Sequence, residues 1–502
     1  MIHCFSMGTR NIVLDVNSGA LHLVDDAAFA VLEGLCPCSP TAPLWECRPE
    51  ALTADKADEG STLSSALSYL STAPPEIADE IRALIDKKQL FSPAKPREIT
   101  NIMQNRRPVI KALCLHIAHE CNLRCAYCFA RQGSYSDSDR GLMSFDVGKR
   151  AIDFLIEKSG TRRNLEVDFF GGEPMLNFDV VKKIVAYGRE CETQANKNFR
   201  FTLTTNATLL SDENINYINE NFDNVVLSID GRKHVNDCMR PRNGGGGSYD
   251  IILPNIKALT KAREGSYYVR GTYTRHNTDF AADVKHLASE GFKHISVEPV
   301  VAPSSADYAL REQDLPVLFR EYEKLAQFIL ENPHIKFFHF EMDIDGGPCV
   351  AKRVTGCGAG SEYLAVTPSG KLYPCHQFVG DERFQVGELP LSSDCSVDVL
   401  RKTQNINEVG ALPLSSDCQM VGMSPRSLDT PPEHENLDFS NCHVFTKPEC
   451  EKCWAKYYCS GGCIATAYYA NGDIKKPDKL SCELMRKRIE CALYVYVERS
   501  GG

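Results

Sequence analysis

The sequence predicts an α/β protein: a partial barrel of six parallel β/α units between a small N-terminal module and a cysteine-rich C-terminal domain. Three observations predict it. Six apolar strand runs alternate with amphipathic helical stretches through the middle of the chain. A hairpin signal followed by helical periods fills the first 95 residues. Cysteine is enriched, 22 of 502 residues, with twelve of them between Cys349 and Cys491.

The first block, residues 1–95, opens with NIVLDV, the turn NSG and ALHLV, the pattern of a β-hairpin. Asp25 and Asp26 precede AAFAVLEG as a helix cap, with a stop near Pro37. A later stretch, PPEIADEIRALIDKKQL, places Ile77, Ile81, Leu84 and Ile85 on one face. Two or three strands with about three helices predict a winged-helix-like module. Pro93, Pro96 and Pro108 mark the linker that follows.

The second block, residues 108–340, carries the strand runs ALCLHIA, LEVDFF, FRFTLTT, NVVLSID, YYVRGTYT and HISVEPVV. Amphipathic stretches lie between and after them, from FDVGKRAIDFLIEKS to LPVLFREYEKLAQFILE. Strictly alternating units predict a parallel sheet covered by helices, closed or nearly closed into a barrel two units short of the usual eight. The third block, residues 346–502, has turn signals and few long periodic segments. LPLSSDC occurs twice, at 389–395 and 412–418, within a Ser-, Pro-, Asn- and Asp-rich stretch that reads as an insert over about 391–440.

Composition removes several function classes. Lys+Arg is 56 against 66 Asp+Glu, a net charge of -10, so the basic excess of a nucleic-acid binder is missing. No run of about 18 apolar residues predicts a membrane span. The N-terminus lacks a basic region followed by an apolar one, so the chain reads as cytoplasmic. In a reducing compartment, clustered cysteines bind metals or do chemistry rather than form disulfides.

The first such cluster is Cys121-x3-Cys125-x2-Cys128, directly after the first barrel strand. Three thiolates do not complete a tetrahedral zinc site unless His116 or His119 joins them. They do hold three irons of a four-iron cluster and leave the fourth open. Barrel enzymes build their sites at the C-terminal ends of the strands, and the other unusual residues lie there. They are Gly171-Gly172-Glu173-Pro174 after strand two, Thr204, Thr205 and Asn206 at the end of strand three, and Ser228 and Asp230 at the end of strand four. Arg270 lies on strand five and Glu298 on strand six. The paired glycines are expected to let a ligand approach the backbone.

The second constellation is Cys357-x12-Gly370-x4-Cys375, then Cys450-x2-Cys453-x5-Cys459-x3-Cys463, then Cys482. Its spacing suits either a double zinc ribbon or iron–sulfur clusters. Cys114, Cys191 and Cys491 read as core residues. Cys36, Cys38 and Cys47 form a weaker candidate metal set. His376 is either a polar site residue or an ordinary surface one.

Residues 110–335 resemble the radical S-adenosylmethionine superfamily, whose hallmark is the CxxxCxxC loop after the first strand of a six-unit partial barrel. The resemblance implies that Cys121, Cys125 and Cys128 ligate a [4Fe-4S] cluster whose open iron chelates S-adenosylmethionine. It implies that the GGEP backbone (Gly171, Gly172, Glu173, Pro174) holds the methionine amino group, and that Ser228 contacts the cosubstrate. The loop backbone at Tyr127 would face the adenine. Thr204, Asn206, Asp230 and Arg270 are further cofactor-binding candidates on the same rim.

The C-terminal spacing is similar to the SPASM extension of that superfamily. On that match Cys450, Cys453, Cys459 and Cys482 ligate a second auxiliary [4Fe-4S] cluster, and Cys357, Cys375 and Cys463 a first, giving three clusters in all. Either Cys349 or a substrate thiolate completes the first; the open site is favoured. The segments HIAHECNLRCAYCFA, DFFGGEPMLNF, LSIDGRKHVND, YPCHQFVGDERF and CWAKYYCSGGC look like those of the maturases of peptides named for six cysteines in forty-five residues. This implies thioether crosslinks installed in a ribosomally made precursor peptide, its leader bound by the N-terminal module; the alternatives are another SPASM peptide or protein maturase and a non-catalytic iron–sulfur electron carrier. A flavodoxin or ferredoxin would be the electron donor, with no nucleic-acid or membrane partner. Cys357, Cys375 and Cys463 would then take part in catalysis beside the radical-generating cysteines. In the related anaerobic sulfatase maturases an Asp follows the cysteine corresponding to Cys375; His376 here argues against that activity.

Overall fold

The computed structural model describes residues 1–36, 59–94, 109–135, 140–263, 265–344, 354–390 and 438–501. Pro96, Pro108, Cys38, Cys47, Cys349 and nearly all of the 391–440 insert lie outside these residues.

The N-terminal module is a three-stranded antiparallel sheet, β1 (Ile2–Met7), β2 (Arg10–Asp15) and β3 (Leu21–Val24), in that order. The expected hairpin is β2–β3. Three helices follow: α1 (Asp26–Gly34), α2 (Glu59–Leu70) and α3 (Pro75–Asp86). Asp25 caps α1 through Ala28 N at 2.7 Å. The sequence reading missed β1, because IHCFSM mixes polar and apolar residues without clean alternation. Its residues are nonetheless buried at five of six positions, and His3 stacks on Trp454 at 3.6 Å, tying the module to the C-terminal domain.

The six predicted barrel strands are present as β4 (Ala112–Ala118), β5 (Asn164–Gly171), β6 (Asn198–Thr205), β7 (Asn224–Ser228), β8 (Ser266–Tyr273) and β9 (His294–Pro299). Each pairs in parallel with the next. Their helices are α4 (Phe145–Lys158), α5 (Phe178–Ala195), α6 (Asp212–Asn221), a short α7 (Lys233–Met239), α8 (Tyr249–Ala262), α9 (Phe280–Ser289) and α10 (Leu315–Glu331).

The strand order is open, as a partial barrel of six units requires. β4 and β9 do not meet. β10 (Lys336–Phe337) extends the β9 edge, while β11 (Tyr363–Val366), β12 (Lys371–Tyr373) and β13 (Gly387–Glu388) extend the β4 edge. The third block therefore supplies strands to the central sheet. It also supplies α11 (Pro448–Glu451), α12 (Lys456–Cys459), α13 (Ile464–Asn471) and α14 (Lys479–Arg499). α14, 21 residues long, carries no single apolar stripe because neighbours bury it on several sides.

Alternation along the strands separates two environments. Val167 and Phe169 of β5 and Phe201 and Leu203 of β6 are fully buried beneath the helices. Asp168, Phe170, Thr202 and Thr204 on the opposite face are only half-buried. The inner surface of the open barrel is thus a polar chamber.

Candidate active site

The cysteine loop leaves β4 and is fastened to the end of α7 and the segment after it. Arg124 N donates to Pro241 O and Ala126 N to Met239 O, each at 2.8 Å, and Asn243 Nδ2 donates to Cys121 O at 3.1 Å. A buried network holds it from below. Tyr127 Oη donates to both Asp230 carboxylate oxygens at 2.8 and 2.6 Å, and Arg240 Nη1 donates to Tyr127 Oη at 3.1 Å. Thr272 N adds a second donor to Asp230. Burial works against the Arg240 charge, and the surrounding Tyr127, Cys125 and Asp230 outweigh it. Asp230 and the Tyr127 side chain thus anchor the loop. Arg240 had no sequence signal.

The glycine pair packs closely against the start of the cysteine loop. Gly172 N donates to Ala118 O at 2.7 Å and Glu173 N to Glu120 O at 2.8 Å. A Cβ on Gly171 would sit 2.5 Å from Ala118 O, and one on Gly172 2.1 Å from Glu120 O. The chain's own backbone at Ala118 and Glu120 requires the missing side chains. With both amides used, the turn offers a ligand its carbonyls, the polarity an amino group needs. Gly171 O already accepts from Tyr135 Oη at 3.1 Å. Glu173 is buried and accepts from Thr205 Oγ1, Asn206 N and Met175 N; Pro174 opens the short turn after it. Gly172→Ala is expected to displace the loop and lower turnover at least about 100-fold, the scale of an ångström's misplacement. Steady-state kinetics at unchanged iron content checks this.

The thiols are set in donor-rich surroundings. Leu123 N donates to Cys121 Sγ at 3.4 Å, Gln132 N to Cys128 Sγ at 3.3 Å, and Asn206 Nδ2 approaches Cys121 Sγ at 3.8 Å. Burial pushes Cys121 up to about 12 and Cys125 up to about 11. The bare chain therefore keeps these two sulfurs protonated, and a metal would deprotonate them. Among the described residues no three His, Cys, Asp or Glu side chains gather closely enough to hold a single metal ion. A four-iron cluster instead spreads its cysteines over separate irons, and the donor set fits that group. His116 and His119 hydrogen-bond each other at 3.1 Å and pack against Tyr135.

Thr204 and Ser228 face the chamber half-buried. Arg270 pairs with Glu298 at 2.8 Å. His376 packs beside Phe129 and Phe170, with ring centroids 5.4 and 5.1 Å away. Burial, helped by Arg270, pushes His376 down to about 4, so the imidazole is neutral at pH 7. It is thus a chamber residue between the cysteine loop and Cys375.

Asp168, on the chamber wall, had no sequence signal either. Burial, with Glu166 adding to it, lifts its carboxyl to about 7. A carboxyl raised in the folded state stabilises the fold below its unfolded value and loses that contribution as pH rises through the folded one. At about 1.4 kcal/mol per pKa unit, ionised Asp168 costs the fold up to about 4 kcal/mol above pH 7. Asp168→Asn is expected to raise the melting temperature, little at pH 4 and fully by pH 8; a pH series of thermal melts checks it.

The C-terminal cysteines gather in two groups. Cys357, Cys375 and Cys463 lie close enough that Cys463 and Cys357 each push up the Cys375 thiol beyond the effect of burial. Cys375 follows β12, and Cys463 is the residue before α13. Cys450, Cys453, Cys459 and Cys482 line one small cavity together, and burial lifts Cys450 and Cys482 to about 12. Cys191 and Cys491 are buried in the core. Cys114 is also buried, but packs beside Cys375 and Tyr363 in a second cluster. Cys36 meets Ile2 O at 3.5 Å.

Comparison with known proteins agrees with this geometry. The Radical SAM superfamily profile matches residues 115–288. The chain is 33% identical over 220 residues to an uncharacterised protein of Methanocaldococcus jannaschii, 44% of this chain and 72% of that one. It is 25% identical over 287 residues to a cysteine-type anaerobic sulfatase-maturating enzyme of Clostridium novyi, 53% of this chain and 73% of that one. The solved structure of native anSMEcpe with bound AdoMet shares the fold at 19% identity and a TM-score of 0.59, covering 78% of this chain and 99% of that chain. The chain belongs to the radical S-adenosylmethionine superfamily. Membership brings S-adenosylmethionine and a [4Fe-4S] cluster as its working groups.

Proposed function

We propose that the protein is a peptide maturase that forms thioether crosslinks between cysteine sulfurs and carbons of a ribosomally made precursor peptide. The observation that carries this reading is the placement of a second cysteine group, Cys357, Cys375 and Cys463, beside the same chamber that the Cys121–Cys128 loop faces. The two are bridged by His376, whose ring packs against Phe129 of that loop and follows Cys375 in the chain. The similarity to a sulfatase-maturating enzyme supports a polypeptide substrate.

In this reading Cys121, Cys125 and Cys128 hold the radical-generating cluster. Gly171 and Gly172 carbonyls receive the amino group of S-adenosylmethionine, and Ser228, Thr204, Asn206 and Arg270 line its approach. Bound there, the reduced cluster and S-adenosylmethionine supply the carbon-centred radical that removes a hydrogen from the peptide. Cys357, Cys375 and Cys463 hold the first auxiliary cluster, with one iron left to the peptide thiolate. Cys450, Cys453, Cys459 and Cys482 hold the second. Phe129, Phe170 and Tyr363 wall the chamber and keep water from the radical. The N-terminal sheet, as a winged-helix-like domain, binds the leader by strand addition, and a flavodoxin- or ferredoxin-type carrier delivers electrons.

Mass spectrometry of a cysteine-rich precursor after anaerobic reaction tests the reading. Each thioether removes one hydrogen from carbon and one from sulfur, so the mass falls by two hydrogens per crosslink. An unchanged mass alongside 5′-deoxyadenosine formation would overturn the substrate assignment.

A further inference from the structure

The two auxiliary sites differ in their surroundings in a way that the cysteine spacing does not show. Lys447 is only 2% exposed, and its Nζ donates to Gly461 O at 2.9 Å. It sits directly before α11, which carries Cys450. Lys456 is 7% exposed and donates to Glu451 O at 2.9 Å; it lines the four-cysteine cavity together with Arg486. Among the described residues no carboxylate forms an ion pair with Lys447 or Lys456, and Arg486 pairs only with Glu483, at 2.6 Å. Burying three cations, two of them without an ion pair, is unfavourable unless negative charge lies beside them, and Glu451 supplies part of it to Lys456. The four cysteines share the cavity that Lys456 and Arg486 line. A cluster held by four thiolates carries net negative charge in both of its working oxidation states. Around Cys357, Cys375 and Cys463 the described cation is Lys111, which is itself paired with Glu362 at 2.6 Å.

We infer that Lys447, Lys456 and Arg486 raise the reduction potential of the cluster at Cys450, Cys453, Cys459 and Cys482, making that site the resting place of the electron released when the crosslink closes. The physical reason is that reduction adds one negative charge, which buried cations stabilise more than they stabilise the oxidised form; net charge and hydrogen bonding are recognised controls of cluster potential. The balance is one electron: the peptide carbon radical and thiolate form the C–S bond and leave one electron on the first auxiliary cluster, which returns to its starting state as it passes that electron to the second, reducing the second by one. Cys453 and Cys482 also line a surface groove with Lys452, Lys476 and Lys479, so the electron rests where an external one-electron carrier reaches it. The inference rests on the proposed assignment of the four cysteines as cluster ligands.

EPR-monitored redox titration of the anaerobically reconstituted holoprotein tests it, with the second cluster's signal identified by its loss in Cys482→Ser. Lys447→Met and Arg486→Gln are each expected to move that midpoint to more negative potential, by at least a tenfold change in electron partition, or 59 mV for one electron. Lys447→Arg is expected to leave it in place, and the other midpoints stay fixed in all three. An unmoved midpoint in both neutralised variants, at full iron content, overturns the inference while leaving the ligand assignment intact. Loss of this cluster from both variants also overturns it, because the cations would then be structural. If Cys482→Ser removes no signal and no iron, the ligand assignment itself fails.

Discussion

Replacing Cys121, Cys125 and Cys128 together with alanine is expected to leave a folded protein that forms no 5′-deoxyadenosine. The three side chains are half-buried on a loop rather than in the core, so their removal opens no large cavity. The loop itself is held by backbone bonds to Pro241 and Met239 and by the Tyr127–Asp230–Arg240 network, none of which uses a sulfur. Iron is expected to fall by about four per chain, the content of one four-iron cluster. Without the open iron there is no site to chelate and split the sulfonium, so the loss is complete rather than graded. Iron and sulfide analysis, circular dichroism and chromatography of the nucleoside separate loss of chemistry from loss of fold.

Cys357→Ala/Cys375→Ala/Cys463→Ala should give the opposite separation. This group lies across His376 from the cysteine loop and touches neither the GGE turn nor the Asp230 network, so S-adenosylmethionine cleavage is expected to continue. Crosslinking is expected to stop, because a peptide thiol with a pKa near 8.5 is mostly protonated at pH 7 and has no metal to deprotonate it. The result is uncoupled turnover: deoxyadenosine without a change in peptide mass. Loss of both products together would place these cysteines in the radical-generating site or in folding instead.

Much of the barrel was legible because its strands and helices obey simple periods. ALCLHIA became β4 residue for residue, and the six amphipathic stretches became α4, α5, α6, α8, α9 and α10. The open edges were not legible: β10 and β13 are two-residue strands whose pairing is set by the sheet they join. The cysteines were legible as spacings, and the structure does bring each spaced set together. The groups that hold the site in place were not. Arg240, Asp168 and Lys447 are single polar residues in ordinary contexts, and only burial against Tyr127, Glu166 and Gly461 gives them meaning. The glycine pair was legible as a place without side chains, but sequence does not show that Ala118 and Glu120 are the neighbours packed there.

The most direct measurement is the fate of S-adenosylmethionine when the iron-loaded wild-type protein is incubated with it and a one-electron reductant in the absence of oxygen. Methionine and 5′-deoxyadenosine in equal amounts are expected. Intact S-adenosylmethionine after prolonged incubation with fully loaded, reduced protein would contradict a radical-generating role for the Cys121, Cys125 and Cys128 loop.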